Sequence, residues 1–429
     1  MADEDADGLA EDIAEVSGNI LKILGPGLVT GAADDDPSGI ATYSQIGAQF
    51  GYGMGWAVIL SYPLMAAIQE VAAHIGVVTG AGIARNVRQH YARWVLVAIV
   101  IALLIANVIN IGADIAAMGD AASLLIGGPM EFWVVLVAAF SVLLETFLSY
   151  ARYASVLKWM TLALFAYVAT AIVAHVDWSM ALIGAVLPVL TLNGAQFTAL
   201  VAVLGTTISP YLFFWQSAQE VEELARRHVK PLHIAPRRAG AEFRRIRIDT
   251  LVGMGASNLI AWFIIVSTAA TLHVHGITNI QTSAQAAQAL APIAGKFASV
   301  IFSIGIIGTG LLALPVLAGS SAYAVCETFG WNQGLNAKPR AARAFYGIIA
   351  GGTFLGGALA FTPIDPMKAL YWSAVVNGLL AGPLMVVMML VASNGRVMGN
   401  LTLTPWFKFW GWLSTAVMLA AAVGLIVTM

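Results

Sequence analysis

The sequence predicts an all-α integral membrane protein with eleven transmembrane helices. Of its 429 residues, 59% are apolar and only 10% are charged, and the mean hydropathy is +0.82. A soluble domain carries about 25% charged residues, so little of this chain is expected to lie in water. Apolar stretches recur along the whole chain, and each reaches the length of roughly 18 residues that can cross a bilayer.

The eleven predicted spans follow one another without a long linker between them. Their approximate edges are 20–46, 52–79, 94–125, 131–149, 156–176, 195–222, 249–272, 298–326, 344–362, 368–393 and 405–428. The acidic stretch 1–19 is expected to be a solvated cytoplasmic tail, because its charge has the wrong sign for the start of a signal peptide.

Basic residues predict the orientation, because they collect in cytoplasmic loops. With the N-terminus inside, all but Lys296 and Lys368 of the 21 Lys and Arg residues fall on the cytoplasmic side. The single cysteine, Cys326, excludes a disulfide framework and a cysteine-based metal cluster. We therefore expect a monomeric, multi-pass protein of the cytoplasmic (inner) membrane, surrounded by lipid and without a nucleic-acid partner.

The first span holds the main functional signal. Three consecutive carboxylates, Asp34, Asp35 and Asp36, run into Pro37 inside an otherwise apolar segment. A continuous helix would place three like charges in hydrocarbon and would meet a residue that lacks an amide proton. A helix that stops there exposes free backbone groups, which bind a cation together with a carboxylate. The stretch therefore predicts half of an ion site.

The sixth span is interrupted in the same way by the polar stretch 206–210, at mid-depth. Pro37 and Pro210 lie 173 residues apart, and five spans fall in each unit. Because five is odd, the second unit (195–393) must run inverted relative to the first (20–176), and the eleventh helix (405–429) is an appendage. Paired broken helices in two inverted halves indicate the midplane site of a secondary transporter.

The first break resembles that of the NRAMP family of divalent metal transporters. That family shares an Asp-Pro-Gly-Asn break followed by Gly-Ala-Gln-Phe-Gly; here Asp36-Pro37-Ser38-Gly39 and Gly47-Ala48-Gln49-Phe50-Gly51 stand at the matching separation. The resemblance implies the leucine-transporter-type fold with two inverted five-helix repeats and broken helices 1 and 6. It also implies that the metal-binding aspartate is Asp36 and that Ala33 supplies a backbone carbonyl ligand.

The departures from the family pattern concern the ligands. Gly39 stands where the family has asparagine, Ser209 where it has a methionine thioether, and Tyr211 where it has histidine. Hydroxyls from Ser209 and Thr206 would leave an all-oxygen site, which suits Mg²⁺, Ca²⁺ or Mn²⁺ better than softer ions. The implied metal set is thus Asp36, Ala33, Gly39, Thr206 and Ser209. These departures are similar to those of the NRAMP-related magnesium transporters.

Proton coupling is predicted to be weak or absent. The family uses an acidic pair on the third span; this chain keeps Asp114 but has Ala117 at the second position. The family histidine is also missing at Tyr211. Metal uptake would then be driven by the membrane potential, worth about 2.3 kcal/mol per elementary charge per 100 mV.

Further polar residues inside the spans are candidates for the site or the access path. Asp34 and Asp35 would face the permeation route or a hydrated vestibule. Glu70 and His74 share a helix face, and we interpret them as a mutually satisfied polar pair, with proton handling as the alternative. Asn377, with Gly378, is expected to interrupt span ten and is a possible ligand.

Three functions fit these observations. The first is a transporter that imports Mg²⁺ or Mn²⁺ by alternating access. The second is a proton-coupled Mn²⁺ and Fe²⁺ symporter of the ordinary family type. The third, a sodium-coupled organic-solute symporter of the same fold, is disfavoured because three aspartates at the break would repel an anionic substrate. No nucleotide-binding loop, metalloprotease helix or nucleophile elbow occurs, so we expect neither an enzyme nor a cofactor.

Overall fold

A computed structural model describes residues 26–147, 161–189, 191, 193–335 and 337–428. The predicted acidic tail, the first residues of the predicted first span and the region around the predicted start of the fifth span lie outside the described residues. Every described element of regular secondary structure is helical. The predicted all-α class is confirmed for this part of the chain.

The first half of the chain forms eight helices within the described residues. Their bounds are α1 Pro26–Asp34, α2 Pro37–Phe50, α3 Gly55–Thr79, α4 Ile83–His90, α5 Arg93–Ile126, α6 Met130–Phe147, α7 Phe165–Val173 and α8 Trp178–Val186. The second half forms α9 Gly194–Thr207, α10 Pro210–Arg226, α11 Ala239–Thr271, α12 Ala298–Phe329, α13 Arg343–Leu359, α14 Pro366–Ser393 and α15 Pro405–Thr428, together with short helical turns.

Both predicted helix breaks are present, and both have the same construction. Asp36 is extended at φ −68° and ψ 172°, and Pro37 opens α2. Ser209 is extended at φ −74° and ψ 132°, and Pro210 opens α10. Proline fits the first position of a helix because its missing amide proton would have no intrahelical acceptor there. The same residue chemistry therefore separates α1 from α2 and α9 from α10.

The predicted number of eleven spans is not confirmed. Within the described residues, eight helical stretches are long and apolar enough to cross a membrane. One of them, Pro37–Thr79, combines most of the first two predicted spans, because a short 3₁₀ turn joins α2 to α3. The predicted ninth span corresponds to a helix of only 17 residues, and the fifth is described only from residue 161 onward.

The predicted interruption of span ten at Asn377 and Gly378 is wrong. Helix α14 continues through both residues. The glycine serves close packing instead: a Cβ atom on Gly378 would lie 2.4 Å from the carbonyl oxygen of Val201 in α9. A glycine inside an apolar helix thus permits a near contact between backbones.

The broken helices lie at the centre of the helical assembly. Helices α1 and α2 pack against α11, α9 packs against α14, and α5 lies against both α14 and α2. A Cβ atom on Gly31 would lie 2.3 Å from the carbonyl oxygen of Gly253, so α1 and α11 meet at a distance that no larger residue permits. The two breaks are therefore surrounded by α5, α11 and α14.

Candidate metal centre

Asp36 connects three helices through its two carboxylate oxygens. Oδ1 accepts hydrogen bonds from the Gly39 amide (2.8 Å) and the Ser38 hydroxyl (2.7 Å), so the side chain caps α2. Oδ2 accepts from Asn110 Nδ2 on α5 (3.0 Å) and from the Tyr211 hydroxyl on α10 (3.3 Å). These four hydrogen bonds occupy the four lone pairs of the carboxylate, so a role as metal ligand requires one of the donors to release its hydrogen bond.

Each break leaves a backbone carbonyl without its helical donor. In a continuous helix the carbonyl of residue i accepts from the amide of residue i+4. For Ala33 and Thr206 that position is Pro37 and Pro210, which have no amide proton. The Ala33 oxygen receives only a long contact from the Tyr211 hydroxyl, at 3.4 Å. The prolines thus remove the helical donor of both carbonyls, and the Thr206 oxygen accepts the Ser209 hydroxyl at 2.8 Å instead.

The second break presents hydroxyl groups. The Ser209 hydroxyl donates towards the carbonyls of Gly205 and Thr206, both at 2.8 Å, so its hydrogen is directed back onto its own helix. A Cβ atom on Gly39 would lie 3.1 Å from the Thr206 hydroxyl oxygen and 3.2 Å from the Asp34 carbonyl oxygen. The structure therefore brings the two breaks together, with Gly39 against Thr206.

Helices α5 and α14 add a chain of amides and carboxylates. Asn110 Nδ2 also lies 3.3 Å from Asp114 Oδ2, and Asn377 Nδ2 donates to Asn110 Oδ1 at 3.2 Å. One oxygen of Asp114 and the Oδ1 of Asn377 are buried without a hydrogen-bond partner. Asn110 was not among the predicted site residues, although it precedes Asp114 by four residues and so shares its helix face.

Asp34 and Asp35 contact α11. The Ser257 hydroxyl lies 2.8 Å from Asp34 Oδ2 and 3.0 Å from Asp35 Oδ1. Ser257 was not predicted, since a serine in a membrane helix is most often a packing residue.

Glu70 and His74 lie away from this centre. Glu70 is 3.6 Å from Arg247, whereas the His74 ring stacks on Phe243 with centroids 4.1 Å apart. Each has a different partner, so the interpretation as a mutually satisfied pair is wrong. The i, i+4 spacing placed the two side chains on one face, but the neighbouring helix α11 supplies better partners for both.

The centre concentrates negative charge in a buried place. Asp34, Asp35, Asp36 and Asp114 are at most 4% exposed, and no ion pair of the described residues reaches them. Burying an uncompensated carboxylate costs several kcal/mol. Within the described residues, no three His, Cys, Asp or Glu side chains form a metal cage. A cation here would be held by few carboxylates and several neutral oxygens.

The two sides of the centre differ in access. A cavity of about 200 Å³ lies beside α2 and the start of α14, lined among others by Gln45 and Lys368. On the opposite side, Arg245 of α11 forms ion pairs with Glu220 of α10 and with Glu242, the latter at 3.0 Å. The orientation that the basic residues predict would place the cavity on the outer side and the ion pairs on the inner side.

Comparison with known proteins identifies the family. A family described as Natural resistance-associated macrophage protein-like, Nramp, matches residues 27–428. The chain belongs to the Nramp family. The Nramp resemblance drawn from the first break is thereby confirmed, whereas the branch of NRAMP-related magnesium transporters is not.

The Nramp match is supported by curated relatives along nearly the whole chain. A divalent metal cation transporter, MntH, of Klebsiella pneumoniae is 26% identical over 93% of this chain and 92% of its own length. The MntH of Deinococcus radiodurans is also 26% identical, over 94% of this chain and 88% of its own. These relatives are named as metal transporters, in agreement with the expectation that the chain is not an enzyme and uses no cofactor.

Solved structures confirm the Nramp fold. The manganese transporter of Eremococcus coleocola superposes with a TM-score of 0.72 at 16% identity, over 94% of this chain and 86% of that one. The structure of Mhp1, a nucleobase-cation-symport-1 family transporter, gives a TM-score of 0.55 at 16% identity, over 94% and 92% of the two chains. At these identities the likeness concerns the fold, and the predicted fold class is confirmed apart from the number of helices.

Proposed function

We propose that this protein imports hard divalent cations, Mg²⁺ in preference to softer ions, across the cytoplasmic membrane by alternating access. It acts as a monomer with its N-terminus inside. Support comes from the family and from relatives that are named as divalent metal cation transporters. Asp36 is the charged ligand, and the carbonyls of Ala33 and Thr206 complete the sphere together with the Ser209 hydroxyl and water.

One observation carries this proposal. Asp36 is buried at the point where the two helix breaks meet, and the Tyr211 hydroxyl from the second break lies within 3.4 Å of both the Asp36 carboxylate and the Ala33 carbonyl. All the groups that converge there are oxygens or amide nitrogens. A buried carboxylate beside two carbonyls that lack their helical donors is a favourable position for a cation and an unfavourable one for an anion.

The preference for hard ions follows from the donor atoms. A thioether would favour later transition ions, but this chain has Ser209 at that position. Mg²⁺ gives up water reluctantly and keeps part of its hydration shell in protein sites. Gly39 lets the two breaks approach each other closely, since a Cβ atom there would lie only 3.1 Å from the Thr206 hydroxyl oxygen.

The difference in access supports uptake from outside. The outer cavity reaches α2 at Ala41, one helical turn beyond the break. The inner side is held closed by the ion pairs of Arg245 and by the Gly27 amide, which donates to Asp249 at 2.7 Å. Release into the cytoplasm therefore requires α1 to separate from α11.

Weak proton coupling follows from the lone Asp114. It is hydrogen-bonded to the Asn110 side chain and to the Ser38 backbone amide, both neutral, and Ala117 occupies the position of a second carboxylate. The ordinary family alternative, proton-coupled Mn²⁺ uptake, is favoured by the relative named as a manganese transporter. The two functions differ in whether protons move with the metal.

Proteoliposomes that contain an entrapped pH dye separate these functions. We expect external Mg²⁺ or Mn²⁺ to enter in response to an imposed negative-inside potential, with no acidification of the lumen beyond that of protein-free liposomes. A divalent ion gains about 4.6 kcal/mol per 100 mV, twice the value for one charge, so uptake should rise steeply with the potential. Metal-dependent acidification would contradict the uncoupled mechanism and support the proton-coupled alternative.

A further inference from the structure

The pair Asp34 and Asp35 forms a pocket of its own on the α11 side of the first break. Asp34 is 0% exposed, Asp35 4% and Ser257 2%. The Ser257 hydroxyl lies within 3.0 Å of one oxygen of each carboxylate. A serine hydroxyl has a single hydrogen, so it satisfies one carboxylate fully at any time and not both.

Two further oxygens point to an occupant of this pocket. Asp34 Oδ1 is buried and has no hydrogen-bond partner. The Tyr43 hydroxyl on α2 is 0% exposed, interacts electrostatically with Asp34 and Asp35, and contacts the Thr206 side chain. Buried polar atoms are nearly always hydrogen-bonded or ligating, so a buried Asp34 oxygen without a partner, next to a second buried carboxylate, indicates a missing cation.

The pocket is distinct from the coordination of Asp36. Both oxygens of Asp36 are occupied by donors from α2, α5 and α10, whereas the pair faces α11. Asp34, Asp35, Asp36 and Asp114 are four buried carboxylates in one region. A single divalent ion at Asp36 would not neutralise all of them.

The geometry points to a second station for a hard divalent cation, formed by Asp34, Asp35 and Ser257, with Tyr43 as a further oxygen donor. Two carboxylates and two hydroxyls are ligands that Mg²⁺, Ca²⁺ and Mn²⁺ accept. This inference rests on the proposed function, because both stations serve the transported ion. Two neighbouring ions repel each other, and sites that hold ions in sequence use this repulsion for release.

Counting bound Mn²⁺ on the purified full chain tests the second station. Free Mn²⁺ is measured by electron paramagnetic resonance, and the triple variant Asp34→Asn/Asp35→Asn/Asp36→Asn gives the background from other acidic groups. We expect the parent to bind two more ions than this variant. The double variant Asp34→Asn/Asp35→Asn and the single variant Asp36→Asn should each bind one more.

Ser257 supplies a second test that does not depend on how the aspartate variants fold. Ser257→Ala should weaken one of the two sites about tenfold, a usual effect of losing a group that supports metal ligands. Ser257→Thr retains the hydroxyl and should keep parental affinity.

Two results would overturn the second station. One is a parent that binds a single ion above background; the other is a double variant or Ser257→Ala that binds as the parent does. Failure of the proposed function has a different signature, namely Asp36→Asn binding and transporting at the parental level while the Ser257 results stand.

Discussion

The two helix breaks have the same backbone but different charge. In each, a proline opens the second half-helix and removes the donor for a carbonyl four residues earlier, that of Ala33 or Thr206. The first break adds three carboxylates, and the second adds only hydroxyls. The comparison shows that proline removes the helical donor of a carbonyl in both breaks, and we propose that attraction for a cation comes from the first break and discrimination between cations from the second.

The largest effect is expected from removing the charge at the first break. Asp36→Ala should reduce metal uptake by at least about 100-fold, because even losing an outer-shell partner of a metal ligand commonly costs 10- to 100-fold. Uptake is measured in proteoliposomes, with thermal unfolding as the check on folding.

A matched control for this variant is Asp120→Ala. Asp120 lies near the end of the same helix as Asp114 but is partly exposed, and its removal should leave uptake within about twofold of the parent, as is usual for surface substitutions. If Asp36→Ala transports at the parental rate, the first break does not supply the attracting charge and the comparison between the breaks fails.

The next largest effect is expected from substituting Asn110, whose amide holds the Asp36 carboxylate of the first break in position. Asn110→Ala removes the donor to Asp36 Oδ2 and leaves the Asn377 amide without its acceptor. We expect the apparent KM for Mn²⁺ to rise about 10- to 100-fold, the usual cost of losing a supporting hydrogen bond to a metal ligand.

Asn107→Ala is the matched control for Asn110→Ala. Asn107 is equally buried on α5, but its amide donates to the Leu317 carbonyl of α12 at 2.9 Å, away from the centre. Its substitution should lower the melting temperature without a comparable change in KM. Equal KM changes in the two variants would show that Asn110 acts on helix packing alone.

The sequence predicts those parts of this centre that are determined by residues close together in the chain. Both breaks follow from neighbouring residues, a proline with charges or hydroxyls in an apolar run, and both are present. Asn110 could have been found from its spacing to Asp114. Ser257 could not, because its contact with Asp34 spans 223 residues and nothing nearby distinguishes it from a packing serine.

The mistaken predictions have the same origin. Asn377 and Gly378 were expected to interrupt span ten near the ion, but α14 is continuous there, and the missing side chain of Gly378 lets α9 approach. The predicted number of eleven spans is not confirmed, because one short turn joins α2 to α3 into a single helical stretch where the sequence predicts two spans. Glu70 and His74 were paired by spacing, while α11 supplies their partners.

A change in selectivity is expected from the second break. Ser209→Met introduces a thioether, a soft ligand that favours later transition ions and Cd²⁺ over Mg²⁺. We expect the ratio of Cd²⁺ to Mg²⁺ affinity to rise by on the order of tenfold, about 1.4 kcal/mol. Competition against Mn²⁺ uptake measures both affinities.

Ser209→Ala controls for the loss of the hydroxyl in this experiment. It should weaken all divalent ions similarly and leave their ratio unchanged. Identical competition profiles for the parent and Ser209→Met would mean that this position does not contact the ion, and the second break would then lose its assigned role in discrimination.

The smallest effect should come from the one side chain that bridges the breaks. The Tyr211 hydroxyl contacts Asp36 and the Ala33 carbonyl at 3.3 and 3.4 Å, which is long for a hydroxyl donor. Tyr211→Phe removes these contacts without changing the ring. The binding free energy of Mn²⁺ should therefore change by about 0.5–1.5 kcal/mol, which corresponds to a two- to tenfold change in affinity. We expect weaker binding, because the hydroxyl holds the carboxylate and the carbonyl in register. Tighter binding in Tyr211→Phe would instead show that the hydroxyl competes with the ion for Asp36, and the bridge would be a closed state of the empty site rather than part of the ligand sphere.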